Sequence, residues 1–263
     1  MDTYLEIDNP EPGIFVLTFD RPDMLNALNL ATMQAFQATL IDLEAAEDIR
    51  ALIITGAGEQ AFCSGGDLQE LSRYPAETDA RKMITVMGDA LRLLEKLPFP
   101  VIAAINGYAL GGGTEIALAC DMRVVDEAVR FGMVQINMGL TPGWGAGQRL
   151  LRLVGYARAM QILLSGETLN ADNLQALGLI SEITVPGQAL DTAIQLAKTI
   201  STKDPQVVYG IKSLLRAGLE HPYDKALRIE RDIFPALWAA DAHIDAVDAF
   251  LQRQAAKKRN MQD

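Results

Sequence analysis

The stretch INGYALGGGTEIALAC, Ile105–Cys120, holds one ionisable carboxylate, Glu115, among four glycines and a run of aliphatic residues. Its start, VIAAI (Val101–Ile105), reads as a strand, and Thr114–Ala119 reads as a short helix. Between them glycine permits positive φ and lets a ligand approach the backbone closely. The first N–H groups of a helix lack internal partners and lie at the positive end of its dipole. Glu115 stands in that first turn, where a carboxylate is favoured and where apolar neighbours raise its pKa towards the range useful for proton transfer. An acid that merely caps the helix is the plainer reading. A second arrangement of the same kind lies upstream: ALIIT (Ala51–Thr55) runs into GAGEQAFCSGGDLQEL (Gly56–Leu71). Two such helix ends facing one another would supply a pair of donors for a developing oxyanion, whereas two unrelated tight turns would not.

Working outward, strand-like runs at 13–19, 51–55, 101–105, 122–125 and 179–185 alternate with helical patterns at 30–46, 79–97, 114–119, 147–153 and 157–164. That alternation predicts an α/β fold with mostly parallel pairing. After about Asp191 only helical patterns remain, at 204–219, 223–238 and 241–254. The chain is therefore expected to divide into a core at 1–190 and a helical oligomerisation region at 191–263. No internal repeat or low-complexity tract is evident.

At 263 residues and 49% hydrophobic content the chain can bury a large core, so disorder is not the default. A net charge of −11 opposes binding to nucleic acid or to anionic lipid. Cys63 and Cys120 form neither a disulfide framework nor a zinc spacing, so no metal is expected and a reducing, cytoplasmic setting is. MDTYLEIDNP has none of the features of a secretory signal or transit peptide. Val101–Cys120 is long enough to span a bilayer, but Asn106, Glu115 and three adjacent glycines argue against it. No P-loop pattern occurs, and no GxGxxG follows a strand.

Several segments together resemble the crotonase superfamily, the enoyl-CoA hydratase/isomerase family. They are RPDMLNALN (Arg21–Asn29), AFCSGGDLQEL (Ala61–Leu71), INGYALGGGTEIALACDMR (Ile105–Arg123), RFGMVQINMGLTPGWGAGQRL (Arg130–Leu150) and LSGETLNADNLQALGLI (Leu164–Ile180). The resemblance implies a crotonase-like spiral of ββα units with a helical C-terminal region that forms trimers or dimers of trimers. It implies an acyl-CoA substrate whose CoA is part of the substrate, with no separate cofactor. By motif position, the N–H groups of Ser64 and Gly112 would form the oxyanion hole. Asn26, Ala27, Leu28, Ala61, Ser64, Gly65, Gly66, Asp67, Leu68, Gly111 and Trp144 would line the CoA and acyl sites, largely through backbone atoms.

The sequence also departs from the family. Its hydratases use two glutamates on one water; Glu115 matches the first, but Gln135 occupies the position of the second. Glutamine can orient a water or a carbonyl and cannot exchange a proton at neutral pH. Asn137, the nearest other polar side chain, cannot act as an acid either, and His221 and His243 fall in the C-terminal helices. With one carboxylate, double-bond isomerisation, slow hydration and decarboxylation of a malonyl-type CoA all remain open. Trp144 resembles a Trp–Gly pair of the ethylmalonyl-CoA decarboxylase branch. Asp23 replaces a lysine that family members often direct at the CoA phosphates, leaving Arg21, Arg73 or Lys257–Arg259 to compensate. A non-catalytic scaffold with the same fold is the competing class, and a scaffold would have little use for Glu115.

Overall fold

The computed structural model describes residues 4–259 of the protein. The chain forms two compact units, divided between Ser201 and Thr202. Among the described residues of the first, the strands are β1 (Leu5–Glu11), β2 (Ile14–Phe19), β3 (Ala51–Gly56), β4 (Ala61–Cys63), β5 (Val101–Ile105), β6 (Tyr108–Leu110), β7 (Met122–Asp126), β8 (Arg130–Gly132), β9 (Thr168–Leu169) and β10 (Glu182–Thr184). Its helices are α1 (Leu30–Glu44), α2 (Leu68–Leu71), α3 (Glu77–Lys96), α4 (Gly112–Ala119), α5 (Ala146–Val154), α6 (Tyr156–Ser165), α7 (Ala171–Ala176) and α8 (Ala189–Ser201).

Two sheets form. The larger runs β1-β2-β3-β5-β7-β10 and is parallel except at β1–β2. The smaller runs β4-β6-β8-β9 and is parallel except at β8–β9. The chain gives β3, β5 and β7 to the large sheet, follows each with a short strand of the small sheet (β4, β6, β8), and then turns into a helix. This is the spiral of ββα units that the resemblance implied. The unit recurs in space although no repeat is visible in the sequence.

β3 and β5 are buried at every residue, which explains their unbroken apolar runs. One face of the large sheet joins Phe36, Leu40, Leu91 and Leu94 of α1 and α3 in the main core. The other face presents Ile14, Val16, Ile53 and Ile102 to Ala189, Ala193 and Ala197, a stripe of period four on α8. α8 thus belongs to the core, and the boundary lies at 201/202 rather than the expected 190/191.

The second unit contains α9 (Pro205–Glu220), α10 (Tyr223–Trp238) and α11 (Asp241–Arg259). Asp204 caps α9, accepting from the N–H groups of Gln206 at 2.8 Å and Val207 at 3.2 Å, with Pro205 at the first helical position. α9 meets α10 at Gly210, beside Ile233 and Leu237. Ile211, Leu215, Leu219, Phe234, Trp238 and Phe250 are exposed in the single chain.

Among the described residues no helix is long and apolar enough to cross a membrane, and no cluster of His, Cys, Asp or Glu could hold a metal ion.

Candidate active site

The site is built where β4 and β6 end. β6 runs into Gly111, whose φ of 52° turns the chain into α4. The hydroxyl of Thr114 reaches the carbonyls of Ala109 at 2.7 Å and Gly132 at 3.0 Å, tying the first turn of α4 to β6 and β8. Gly113 lies so close to the Cys63 carbonyl that no Cβ would fit. α4 is therefore seated directly on the small sheet, with Glu115 in its first turn at 2% exposure.

The two glycine turns face each other. Gly65 has φ +100°, and a Cβ placed there would lie 2.9 Å from the Gly112 nitrogen and 3.1 Å from the Leu110 carbonyl oxygen. The sequence reading needed this convergence, and the register of β4 with β6 produces it.

The donor assigned to the first turn needs correction. The Ser64 N–H donates to the Leu25 carbonyl at 3.0 Å and is already used. The Leu28 N–H donates to Gly65 O at 2.8 Å, and the Asp67 N–H to Leu28 O at 2.8 Å, closing a short parallel bridge between Leu28 and Gly66. The Gly66 and Gly112 N–H groups have no acceptor among the described residues.

Glu115 projects from α4 onto the N-terminus of α5. Its Oε2 accepts from the N–H groups of Trp144 at 2.7 Å and Ala146 at 3.0 Å. Its Oε1 accepts from the Gly143 N–H at 3.2 Å and from Nε2 of Gln135 at 3.1 Å. Burial pushes the Glu115 carboxyl up, and the N–H groups of Ala146, Gly143 and Trp144 with Gln135 oppose it without cancelling it. Four donors fill the four lone-pair positions of a carboxylate. Gln135 donates from Nε2 to Glu115, and its own Oε1 is buried without a partner among the described residues.

Trp144 is 6% exposed, and its indole covers Gly112 so closely that a Cβ there would meet Cζ3 and Cη2. Gly65, Gly111, Gly112, Glu115, Gln135 and Trp144 are thus brought together.

The remaining predicted lining residues hold the first turn in shape. Asn26, in the left-handed region at φ 56°, donates from Nδ2 to the carbonyls of Ala61 at 2.7 Å and Ala57 at 3.0 Å. Its Oδ1 accepts from the Arg21 N–H at 2.9 Å. Ala27 and Leu28 are buried, and Leu68 is exposed. Asp67 caps α2 through the Gln69 and Glu70 N–H groups and pairs with Arg21 at 2.6 Å. Arg21, a candidate for CoA phosphate, is therefore committed to Asp67, while Arg73 is exposed. In the basic run, Lys257 is exposed, and the Lys258 and Arg259 side chains lie outside the described residues. The buried thiol of Cys63 is pushed up to about 12 and stays protonated. In the second unit His221 terminates α9, and His243 stacks on Trp238 with ring centroids 4.5 Å apart.

The sequence reading missed the free N–H of Gly66 and the N–H cradle at Gly143, Trp144 and Ala146. A signal for the cradle existed. GLTPGWGAG precedes a helix, and Gly145, at φ 101°, opens it.

The profile of the family described as Enoyl-CoA hydratase/isomerase matches residues 9–259. The short-chain-enoyl-CoA hydratase of Clostridium acetobutylicum is 35% identical over 244 residues, 93% of each chain. The ethylmalonyl-CoA decarboxylase of Gallus gallus is 34% identical over 247 residues, 92% of this chain and 82% of that one. The crystal structure of an enoyl-CoA hydratase from Bacillus anthracis superposes with a TM-score of 0.90 at 31% identity, covering 95% of this chain and 96% of that one. The chain belongs to the enoyl-CoA hydratase/isomerase family and is an enzyme of that family.

Proposed function

We propose that the chain binds an acyl-CoA with the thioester carbonyl oxygen between the N–H groups of Gly66 and Gly112, and moves a proton to or from the resulting enolate through Glu115 alone. The observation that carries this is the approach of Gly65 to the Gly112 nitrogen, which sets two unclaimed N–H groups near one another beside a buried carboxyl. In comparable sites one such donor contributes about 2.7–4 kcal/mol to transition-state stabilisation. Burial brings the protonated form of Glu115 within reach, as an acid that must both take and give a proton requires. For Oε1 to take the proton, one of its two hydrogen bonds, the longer ones from Gln135 and Gly143, must open. Isomerisation of an enoyl-CoA needs only this one group; hydration, with Gln135 in place of a second acid, proceeds slowly.

A second reading has an observation in its favour. The four donors on Glu115 leave its carboxylate no vacant lone pair with which to take a substrate proton. Decarboxylation of a malonyl-type CoA draws its electron pair from the departing CO₂ and needs no base before the carbon–carbon bond breaks. The similarity to an ethylmalonyl-CoA decarboxylase accords with it. A non-catalytic scaffold would not require a buried acid beside the two turns.

The CoA moiety is part of the substrate, and no separate cofactor enters. Exposed Arg73 meets its phosphates in place of the ion-paired Arg21. The exposed apolar side chains of the second unit form the contacts of a homotrimer or a dimer of trimers. Incubation with crotonyl-, 3-enoyl-, methylmalonyl- and ethylmalonyl-CoA, followed by mass, tests the reading. Hydration adds the mass of water, decarboxylation removes that of CO₂, and isomerisation changes only retention and absorbance. No change with any of the four would remove it.

A further inference from the structure

Trp144 lies beside Gly112, and its backbone is held from two sides. Its six-membered ring lies against the α-carbon of Gly112, whose N–H is one of the two proposed carbonyl donors. Its backbone N–H is held by Glu115 Oε2 at 2.7 Å. Its carbonyl accepts from Nη1 of Arg149 at 2.7 Å, and that guanidinium is clamped by both carboxylate oxygens of Glu95 on α3, at 2.9 and 3.1 Å. Gly145, next in the chain, adopts φ +101° with Arg149 Nη1 2.8 Å from where a Cβ would stand. The backbone of Trp144 is thus anchored from two sides, and its indole is packed into the core. In the proposed placement, with the carbonyl oxygen on the Gly112 N–H, the first acyl carbons would lie near this ring, and a longer chain on that side would have to displace it. An interior at crystal-like density has no room for added methylenes without strain.

We infer that Trp144 is a specificity-determining residue that restricts the enzyme to short acyl groups. The inference rests on the proposed placement of the thioester and adds a length limit to it.

The test measures Kd on the full chain for butyryl-, octanoyl- and dodecanoyl-CoA, saturated thioesters on which no double-bond chemistry is possible. The expected result is butyryl-CoA binding at least about tenfold more tightly than octanoyl- or dodecanoyl-CoA. In Trp144→Ala and Trp144→Leu, which retain both backbone anchors, that preference should shrink by about tenfold or invert. The leucine variant keeps the loop filled if the alanine variant is poorly folded. Equal affinities across the series in the native protein, or an undiminished preference in both variants, would overturn the length limit and leave the acyl-CoA site standing. Failure of every thioester and of CoA itself to bind would instead overturn the proposed site, and the inference with it.

Discussion

Gln135 donates from Nε2 to Oε1 of Glu115 across 3.1 Å, and its own carbonyl oxygen is buried with no donor among the described residues. A neutral amide thus stands where the resemblance to the family places a second carboxyl, and it meets the remaining acid without adding charge. Gln135→Glu would put two carboxyl groups at hydrogen-bonding distance, and one of them must then hold a proton at neutral pH because like charges so close cannot both ionise. A retained proton is what the missing hydratase acid would supply. Hydration of crotonyl-CoA, followed at fixed enzyme concentration, is expected to rise by about 10²-fold, at the low end of what one general acid–base group contributes. An unchanged or lower rate in a folded variant would show that water is not handled from position 135.

Glu115 holds the loop through the Gly143, Trp144 and Ala146 amides and is also the proposed proton carrier. In Glu115→Gln the amide can present one acceptor oxygen and one NH₂ to the four N–H groups that now converge on a carboxylate. Two of those groups must lose their acceptor. Amide exchange at Gly143, Trp144 and Ala146 is expected to accelerate relative to the rest of α5. Isomerase turnover is expected to fall by about 10³-fold, the scale of one lost acid–base group. Decarboxylation would fall far less, so the same variant separates the two readings of the site. Unchanged exchange at all three amides would contradict the cradle.

The long elements of this fold are legible in the sequence because their apolar patterns are long: VIAAI and ALIIT fill β5 and β3, and α9, α10 and α11 fall within a few residues of their periodic runs. The small sheet is not legible. β4, β6 and β8 are three residues each, too short for any period to register. Yet their register turns Gly65 towards Gly112. For the same reason the free donor was misplaced by two residues: residue type does not encode whether the N–H of Ser64 or of Gly66 faces the Leu25 carbonyl. Glu115 was legible, since a lone acid in an apolar helix start stands out. Its partners at the start of α5 and in the loop before it are backbone groups 28 to 31 residues away, and a backbone amide carries no signature of its own.

Gly65 combines a positive φ with close neighbours, so it accepts a side chain poorly. Alanine there would hold φ near +100° against its preference and would set a methyl 2.9 Å from the Gly112 nitrogen. Gly65→Ala is expected to lower kcat/KM on any thioester by about 10²-fold or more, as loss of one oxyanion donor does. Gly139→Ala is the matched comparison, because its φ is also positive, at +70°, but nothing lies within 4 Å of an added Cβ. It should show only the backbone strain, about 1 kcal/mol in urea unfolding. Equal activity losses in the two would mean that backbone strain, not the blocked donor, accounts for the effect.

Asp67 gives the fold a pH dependence whose sign can be worked out. Burial alone would push its carboxyl up, but the Arg21 guanidinium together with the Glu70 and Gln69 N–H groups outweighs burial and holds it below the usual carboxylate range. A group with a depressed folded pKa contributes stability above its unfolded pKa and loses that contribution as pH falls through the folded value. Asp67→Asn removes the ion pair but leaves an amide oxygen able to accept from the α2 N–H groups, so the cap is partly kept. At pH 7 the variant is expected to be less stable by about 1–2 kcal/mol, the scale of a charge-assisted hydrogen bond. The gap should persist down to the ordinary aspartate value, about 3.9, and close below it as native Asp67 takes up its proton. Urea unfolding of both proteins across that range measures this. A gap that widened on acidification would reverse the sign, and would mean that burial, not Arg21, controls this carboxyl.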